Sequence, residues 1–290
     1  MSPQQPRILI VMPVHNEAAH IGSCLESFVR QTRLPNSLRV VDDHSTDTTA
    51  DIIRGYAAKH PWIQLVQRRS TPQRQPGTKV VEAFLSGLPG DWKHYDYIGK
   101  FDGDILLPPD YFEKILESFA LRRNLGMCSG LLYIQKEGEW EYEPIADKSH
   151  VRGPVKCYSR DCFQAIGGLR PFIGWDTADV LLARFHGFET QTRTDLMVKH
   201  LRPTGSGYSA RNARLQGMAL YNLRYGWLLS GIAAGKMAVK RKKPLLPWHA
   251  LTAYVRAYGS GKPRMLNREQ GRFARKLRWK GVYSRLLKGL

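Results

Sequence analysis

Short unbroken apolar runs alternate with stretches whose apolar residues recur at helical spacing. The runs are Ile8 to Met12, Leu38 to Val41, Ile63 to Val66 and the stretch around Tyr97, Ile98 and Phe101. Such runs fit strands buried on both faces. Between them, Ile21, Leu25 and Phe28 mark one helix face, then Ile52, Ile53, Tyr56 and Ala57, then Val80, Val81, Phe84 and Leu85. Pro108 and Pro109 open a further helix with Phe112, Ile115, Leu116 and Phe119 on one side. Strand, helix, strand, helix in this order predicts an α/β fold, its sheet parallel and built by right-handed crossovers.

The middle of the chain adds fewer but clear elements. Residues 127–134 read as a strand, and 137–144 alternate acids with aromatics like an exposed strand or hairpin arm. Ser159 is placed to cap a short helix that ends at Gly167-Gly168. A helix follows over 174–188 with Asp176 near its start, Asp179 one turn on, and Leu182 and Phe185 on its apolar face. The segment 195–207 reads as a strand ending at His200 and then a Gly-rich loop. Near the N-terminus, Asn16 is expected to cap the first helix.

Acidic residues gather where strands end. The second strand runs into Asp42-Asp43-His44-Ser45-Thr46-Asp47, and the fourth into Asp102-Gly103-Asp104. Ligands of open α/β sheets bind outside such strand ends. Two acids one residue apart, with a glycine allowing close approach, suit a hard divalent cation beside a phosphate. The same residue types also make solvated turns and helix caps, a reading open for Asp42, Asp43 and the Asp-Gly-Asp turn alike. Glycine-rich phosphate loops of the G-x-G-x-x-G or G-x-x-x-x-G-K-[ST] kind are absent, so a dinucleotide or P-loop site has no support. An anionic nucleotide beside these carboxylates would need a cation between them.

Charge divides the chain. Over 290 residues the formal net is +19, and all of the excess lies in residues 201–290, with 20 Lys/Arg against one acid, Glu269. The first 200 residues balance, as in an ordinary catalytic domain, while the last part has the composition of something that meets an anionic surface. Cys24, Cys128, Cys157 and Cys162 have no metal-pair spacing and read as small buried hydrophobes in a reducing compartment. The N-terminus shows no signal-peptide pattern, and the apolar stretch near 217–239 is interrupted by Arg224 and Lys236, too short for the ~20 residues of a spanning helix.

Five motifs now stand in order: PVHNEAAHI (13–21), VVDDHSTDTT (40–49), FDGD (101–104), KCYSRDCFQAIGGL (156–169) and GWDTAD (174–179). With their strand–loop–helix context they resemble the family 2 inverting glycosyltransferases of GT-A fold, over roughly the first two thirds of the chain. The resemblance implies a Rossmann-like, mostly parallel sheet in a catalytic domain over 1–207, its nucleotide-sugar half reaching about residue 104 and its acceptor half beginning about 105. Residues 208–290 would then be a basic, amphipathic helical extension. It also implies that Pro13, Val14 and Glu17 line the nucleotide site and that Asp42 recognises the base. Asp102 and Asp104 would be the D-x-D pair, Asp104 touching Mg²⁺ or Mn²⁺ and Asp102 reaching ribose or a water on the metal. His200 resembles the histidine that many members add to the metal site, and Lys79 is placed to meet the diphosphate. Asp176 would be the catalytic base. The Glu-Asp pair common in the family reads Trp175-Asp176 here, which keeps Asp179 as a second candidate. Each role has a plainer competitor: Asp176 as a helix-start acid favoured by the dipole, His200 as a structural histidine, Lys79 as a solvated cation.

The function so implied is metal-dependent transfer of a sugar from a nucleotide-sugar donor to a saccharide or lipid-linked acceptor in cell-surface glycan synthesis. A non-catalytic nucleotide-sugar-binding scaffold and a sugar-phosphate nucleotidyltransferase are the alternatives. In the basic tail, Trp227, Leu228, Ile232 and Met237 are expected to form an apolar helix face, followed by the run 240–243 and by Trp248, Tyr254 and Tyr258. Phe273, Leu277 and Trp279 lie among five cations from Arg272 to Lys280. Amphipathic, cationic and aromatic character together point to lying on anionic lipid rather than crossing it, and so to a cytoplasmic protein held on the inner face of the membrane. Packing on the catalytic domain and nucleic-acid binding are the competing readings of the tail, with no recognisable module for the latter.

Overall fold

The computed structural model describes residues 5–69, 77–203, 209–241 and 243–288. Parts of the predicted Gly-rich loop (204–208) and one position of the basic run (242) lie outside the described residues. The chain divides into two compact units: residues 1–75, 79–169 and 186–204 in one, and 76–78, 170–185 and 205–290 in the other.

The first unit is built on one mixed sheet. Its strands are β1 (Ile8–Val14), β2 (Ser37–Asp43), β3 (Ile63–Arg68), β4 (Tyr97–Phe101), β5 (Ile105–Leu106), β6 (Leu125–Lys136), β7 (Glu139–Tyr142), β8 (Val155–Ser159) and β9 (Glu189–His200). Their spatial order is β3-β2-β1-β4-β8-β6-β9-β5, with β7 on β6. The first four are parallel, as the alternating pattern predicts. Helices α1 (Ile21–Val29), α2 (Thr49–Lys59), α3 (Thr78–Gly87) and α4 (Tyr111–Leu121) follow the expected apolar faces except at Leu85 of α3, which is exposed at the edge of its face, and α5 (Arg160–Ala165) is capped by the Ser159 hydroxyl, which accepts from the Cys162 N–H. The apolar residues of β1 are fully buried with Ile21, Leu25 and Phe28 of α1. Phe101 sits at the centre of an edge-to-face cluster, 5.5 Å from Phe28 and 5.8 Å from Tyr111 between ring centroids.

Three local expectations give way. Asn16 does not cap α1; it takes a left-handed backbone (φ +54°), and the helix begins at Ile21. Asn tolerates that conformation because its short amide can bond locally. β8 has no counterpart in the predicted elements because Lys156 interrupts its apolar residues, yet that lysine is fully buried. By pairing antiparallel with both β4 and β6, β8 turns a parallel sheet into a mixed one. β5 is only two residues long, below what periodicity detects, but it pairs with β9 in the register Ile105 to His200.

The second unit is helical: α6 (Trp175–Phe185), α7 (Ala210–Asn222), α8 (Gly226–Arg241), α9 (Leu246–Gly259) and α10 (Arg268–Lys288). Packing groups residues 170–185 with these C-terminal helices, whereas a single cut at 207 assigns them to the catalytic domain. The Phe185 and Phe273 rings meet at 5.5 Å, the Arg170 guanidinium donates to the Met265 carbonyl, and Asn222 donates to the Ile173 carbonyl. Helices α7 and α9 cross backbone to backbone at Gly217, where a methyl group would lie 2.0 Å from the Ala250 carbonyl oxygen. In α8, Leu229, Ser230 and Ala234 are buried, while Trp227 and Leu228 of the expected apolar face are exposed. The small Ser230 and Ala234, four residues apart, suit close helix contact better than the bulkier stripe. Among the described residues, no helix is long and apolar enough to cross a membrane.

All four cysteines are free thiols and buried. Burial pushes the Cys128 thiol up to about 11 and raises Cys24 and Cys157 as well, which disfavours the reactive thiolate. Titration with a thiol-reactive dye is therefore expected to label fewer than one of the four cysteines in the native protein, and all four only on unfolding.

Candidate active site

The loops that leave β1 and β2 are bonded to each other. The Asn16 amide oxygen accepts from the Thr46 N–H at 2.8 Å, and the Asn16 N–H donates to the Ser45 hydroxyl at 2.9 Å. The Glu17 N–H donates to the Thr49 hydroxyl, the Ala18 N–H to Asp47, and His15 Nδ1 bonds the Asp43 carbonyl at 2.8 Å. Both Asn16 and His44 are left-handed non-glycine residues (φ +54° and +62°), a conformation held only where surrounding bonds enforce it. His15, to which no role is assigned from sequence, is thus part of the loop scaffold. The result is a fixed floor at the C-terminal ends of the parallel strands. Pro13 and Val14 end β1, Glu17 is buried just beyond, and buried Asp42 accepts from the Ser45 N–H at 3.1 Å. Its neighbour Asp43 pairs with Arg68, which also pairs with Glu82.

Asp102 and Asp104 part company within this floor. Gly103 between them packs so closely that a Cβ there would lie 2.6 Å from Val14 Cγ1, which explains the glycine. The Asp102 carboxylate pairs with the buried Lys100 ammonium. The Asp104 carboxylate, 5% exposed, turns to the opposite neighbours. Its Oδ1 stands 3.6 Å from His200 Nε2, and its Oδ2 lies 3.1 Å from an Arg202 nitrogen. The β5–β9 pairing makes this meeting possible across 96 positions, and the Leu201 N–H donates to the Asp104 carbonyl. Arg202 also bonds Glu17 Oε1, while Glu17 Oε2 is buried without a hydrogen-bond partner among the described residues.

Behind the imidazole, His200 Nδ1 faces Glu143 Oε2 at 3.4 Å, and Arg152 donates to that same oxygen at 2.6 Å. Burial alone would lower the His200 pKa, but the two flanking carboxylates raise it to about 9. Burial likewise works to raise Asp104, and the facing His200 and Arg202 more than offset it, leaving Asp104 below the usual carboxylate range. For Glu17 burial wins, and its pKa is raised despite Arg202.

Asp176 and Asp179 lie in the other unit. Asp176 is half-buried in the first turn of α6, with Trp175 buried beside it. Its charge reaches Tyr225, whose phenol oxygen accepts from Arg278 at 2.6 Å. Asp179 is buried, and its Oδ1 accepts from the Val180 N–H at 2.7 Å. Lys79 occupies the first turn of α3, half-buried.

Would a divalent cation fit at Asp104? Among the described residues no three His, Cys, Asp or Glu side chains stand in a metal-holding arrangement. Two groups do face one another, a carboxylate oxygen and an imidazole nitrogen that becomes a donor once a metal displaces its proton, and Glu143 backs the imidazole as carboxylates commonly back ligating histidines. Mg²⁺ and Mn²⁺ accept such oxygen and imidazole donors and take their remaining ligands from phosphates and water. The donor set therefore fits a metal that arrives with a phosphorylated ligand.

Sequence reading misses Glu143, Arg152, Lys100 and Arg202. Only Arg202 carries a local hint, two residues after His200 on a strand end. Glu143 lies in the segment read as an exposed hairpin arm, yet it is 2% exposed. Glu143→Ala is expected to cost about 3–5 kcal/mol, because it removes the buried carboxylate that both Arg152 and His200 face. Urea unfolding should show that loss, with Glu143→Gln retaining part of the stability.

With this geometry in place, comparison with known proteins is informative. Residues 9–172 match the glycosyl transferase family 2 model. A chondroitin synthase from Escherichia coli is 29% identical over 123 residues, 42% of this chain and 16% of that protein. A validoxylamine A glucosyltransferase from Streptomyces hygroscopicus subsp. limoneus is 28% identical over 135 residues, 43% of this chain and 27% of that protein. The chain thus matches about a quarter or less of the length of these relatives. Among solved structures, a mannosyltransferase from Pyrobaculum calidifontis in complex with GDP-Man and Mn²⁺ superposes with a TM-score of 0.57 at 19% identity, over 98% of this chain and 81% of that one. The likeness shows that the mixed α/β architecture is the GT-A fold. On the strength of the domain match, which spans more than half its residues, the chain belongs to glycosyl transferase family 2.

Proposed function

We propose that the protein is a metal-dependent, inverting glycosyltransferase that moves a sugar from a nucleotide-sugar donor to a saccharide or lipid-linked acceptor. The observation that carries this reading is the Asp104–His200–Glu143 array, set at the C-terminal ends of parallel strands beside buried Glu17 and Asp42. The GDP-Man and Mn²⁺ in the Pyrobaculum structure support a nucleotide-sugar donor and a divalent ion, and the likeness to a chondroitin synthase supports a saccharide acceptor.

In this reading Pro13, Val14 and Glu17 line the nucleotide pocket and Asp42 receives the base. Asp104 and His200 hold Mg²⁺ or Mn²⁺, Glu143 fixes the His200 ring, and Asp102 reaches ribose from its place beside Lys100. Lys79 serves the diphosphate. When bound, the ion supplies Lewis-acid stabilisation to the leaving diphosphate. Asp176 takes the proton of the acceptor hydroxyl as its oxygen bonds the anomeric carbon. The anomeric carbon–phosphate oxygen bond breaks on the opposite face, and the nucleoside diphosphate departs with that electron pair. One base is enough for a single displacement, and a positioned carboxylate is worth typically ~10²–10⁴-fold. Asp176 suits the role better than Asp179, whose carboxylate is buried and bonded to its own helix backbone.

The second unit would rest on anionic membrane at the cytoplasmic face. Its C-terminal part, residues 205–290, combines 19 Lys/Arg against one acid with exposed Trp227, Leu228, Trp248 and Tyr258.

Nucleotide release from a panel of donors, measured with and without Mn²⁺, tests the enzymatic reading; a binding scaffold would take up donor and release nothing. Chelation with EDTA should abolish turnover, and Asp104→Asn or His200→Ala should lower it at least ~100-fold while raising the Mn²⁺ concentration needed. Asp176→Asn should lose transfer by ~10²–10⁴-fold yet keep donor affinity in calorimetry. Full activity in Asp176→Asn with none in Asp179→Asn would hand the base role to Asp179.

A further inference from the structure

Apart from the carboxylate cluster, the second unit holds a cavity of about 320 Å³ between α7 and α9. That is near the lower end of ligand-pocket sizes, ~300–1,000 Å³. Met218, Ala253 and Ala257 supply its apolar lining, and Arg214, Arg256 and Lys262 supply three exposed cations around it. Among the described residues none of these three cations has a carboxylate partner, which follows from a segment of 90 residues with one acid. The two hydroxyls in the lining are already spent: Thr252 donates to the Trp248 carbonyl and Ser260 to the Ala257 carbonyl. The cavity therefore offers cations and hydrocarbon and lacks the neutral donors that read a sugar. On the same helix α9, Trp248 (69% exposed) and Val255 (50%) share a side with Thr252, so apolar surface continues outward from the cavity.

We propose that this cavity is a headgroup site for an anionic membrane phospholipid. The phosphate sits among Arg214, Arg256 and Lys262, the first carbons of the lipid lie against Met218 and Ala253, and Trp248 and Val255 enter the interface. Guanidinium groups match phosphate oxygens bidentately, and the aromatic ring suits the water–lipid boundary. The site deepens the membrane reading above and rests on it for its physiological ligand. It makes association depend on particular cations rather than on net charge alone.

Calorimetry of the full chain with monomeric dihexanoyl phosphatidic acid tests the site without a bilayer. With each cation near lipid phosphate worth ~1 kcal/mol, replacing Arg214, Arg256 and Lys262 together by Ala should weaken binding about 100-fold. The charge-matched removal of Arg272, Lys276 and Lys280 should change it less than about threefold, being outside the cavity. Ala253→Trp, which fills the cavity and keeps every charge, should also abolish binding, and thermal unfolding of each variant reports its folding. Equal losses in the two triple variants, or inorganic phosphate binding as tightly as the lipid, would overturn the proposal. Farnesyl phosphate binding more than about tenfold tighter than phosphatidic acid would overturn it too, by assigning the cavity to an acceptor. A parallel sedimentation with phosphatidylcholine vesicles, with and without phosphatidic acid, separates the two ideas. Vesicle binding by the wild type that both triple variants lose equally sinks the cavity and leaves the membrane reading. Monomer binding without vesicle binding does the reverse.

Discussion

A carboxylate as deeply buried as that of Asp104 keeps its charge only if cations face it, and much of the first unit follows from that requirement. His200 and Arg202 answer it, one at the end of β9 and the other two residues beyond. The two-residue strand β5 is what seats them, since its pairing with β9 fixes Asp104 opposite the strand end. The imidazole in turn needs an anion on its other side. Glu143 provides it and is balanced by Arg152, so buried Arg152, Glu143, His200 and Asp104 lead out to the exposed Arg202, which turns back to Glu17. Satisfied networks of this kind hold one geometry; a missing member leaves a charge without compensation.

What could be read from residues alone was whatever is local. The run Ile8 to Met12, the helix faces of α1 to α4 and the cap at Ser159 each carry their own signal within a few positions. The Asp-Gly-Asp turn points to a site because two acids one residue apart at a strand end suit a divalent cation, and the glycine is explained by its contact with Val14. That Asp102 turns to Lys100 while Asp104 turns to His200 depends on side-chain packing that spacing does not encode. Glu143 and Arg152 were hidden for another reason: acids alternating with aromatics look like a solvated edge, and only the pairing of β7 with β6 and the nearby imidazole draw Glu143 inward. β8 was masked by Lys156, since a lysine in a strand pattern ordinarily marks the surface.

The second unit shows composition and geometry acting together. A segment nearly without acids cannot neutralise its own cations, so its helices are held by other means. The Gly217–Ala250 crossing brings α7 and α9 into backbone contact, and Tyr221, Tyr254 and Trp227 stack edge-on around it. Arg264 lies over the Tyr221 ring at 4.3 Å, using an aromatic face in place of a carboxylate. Arg224 and Arg275 donate to backbone carbonyls instead, at Leu266 and Arg224.

With the Arg202 guanidinium across Glu17 and Asp104, both carboxylates face a positive partner before any ligand arrives. A divalent ion between Asp104 Oδ1 and His200 would stand beside the Arg202 cation on Oδ2, and loading the site would loosen that contact. The exposed guanidinium, tethered two residues beyond His200, would then be a positive charge at the rim. An incoming diphosphate is the natural customer for it, and by thermodynamic linkage ion and diphosphate would each strengthen the hold on the other.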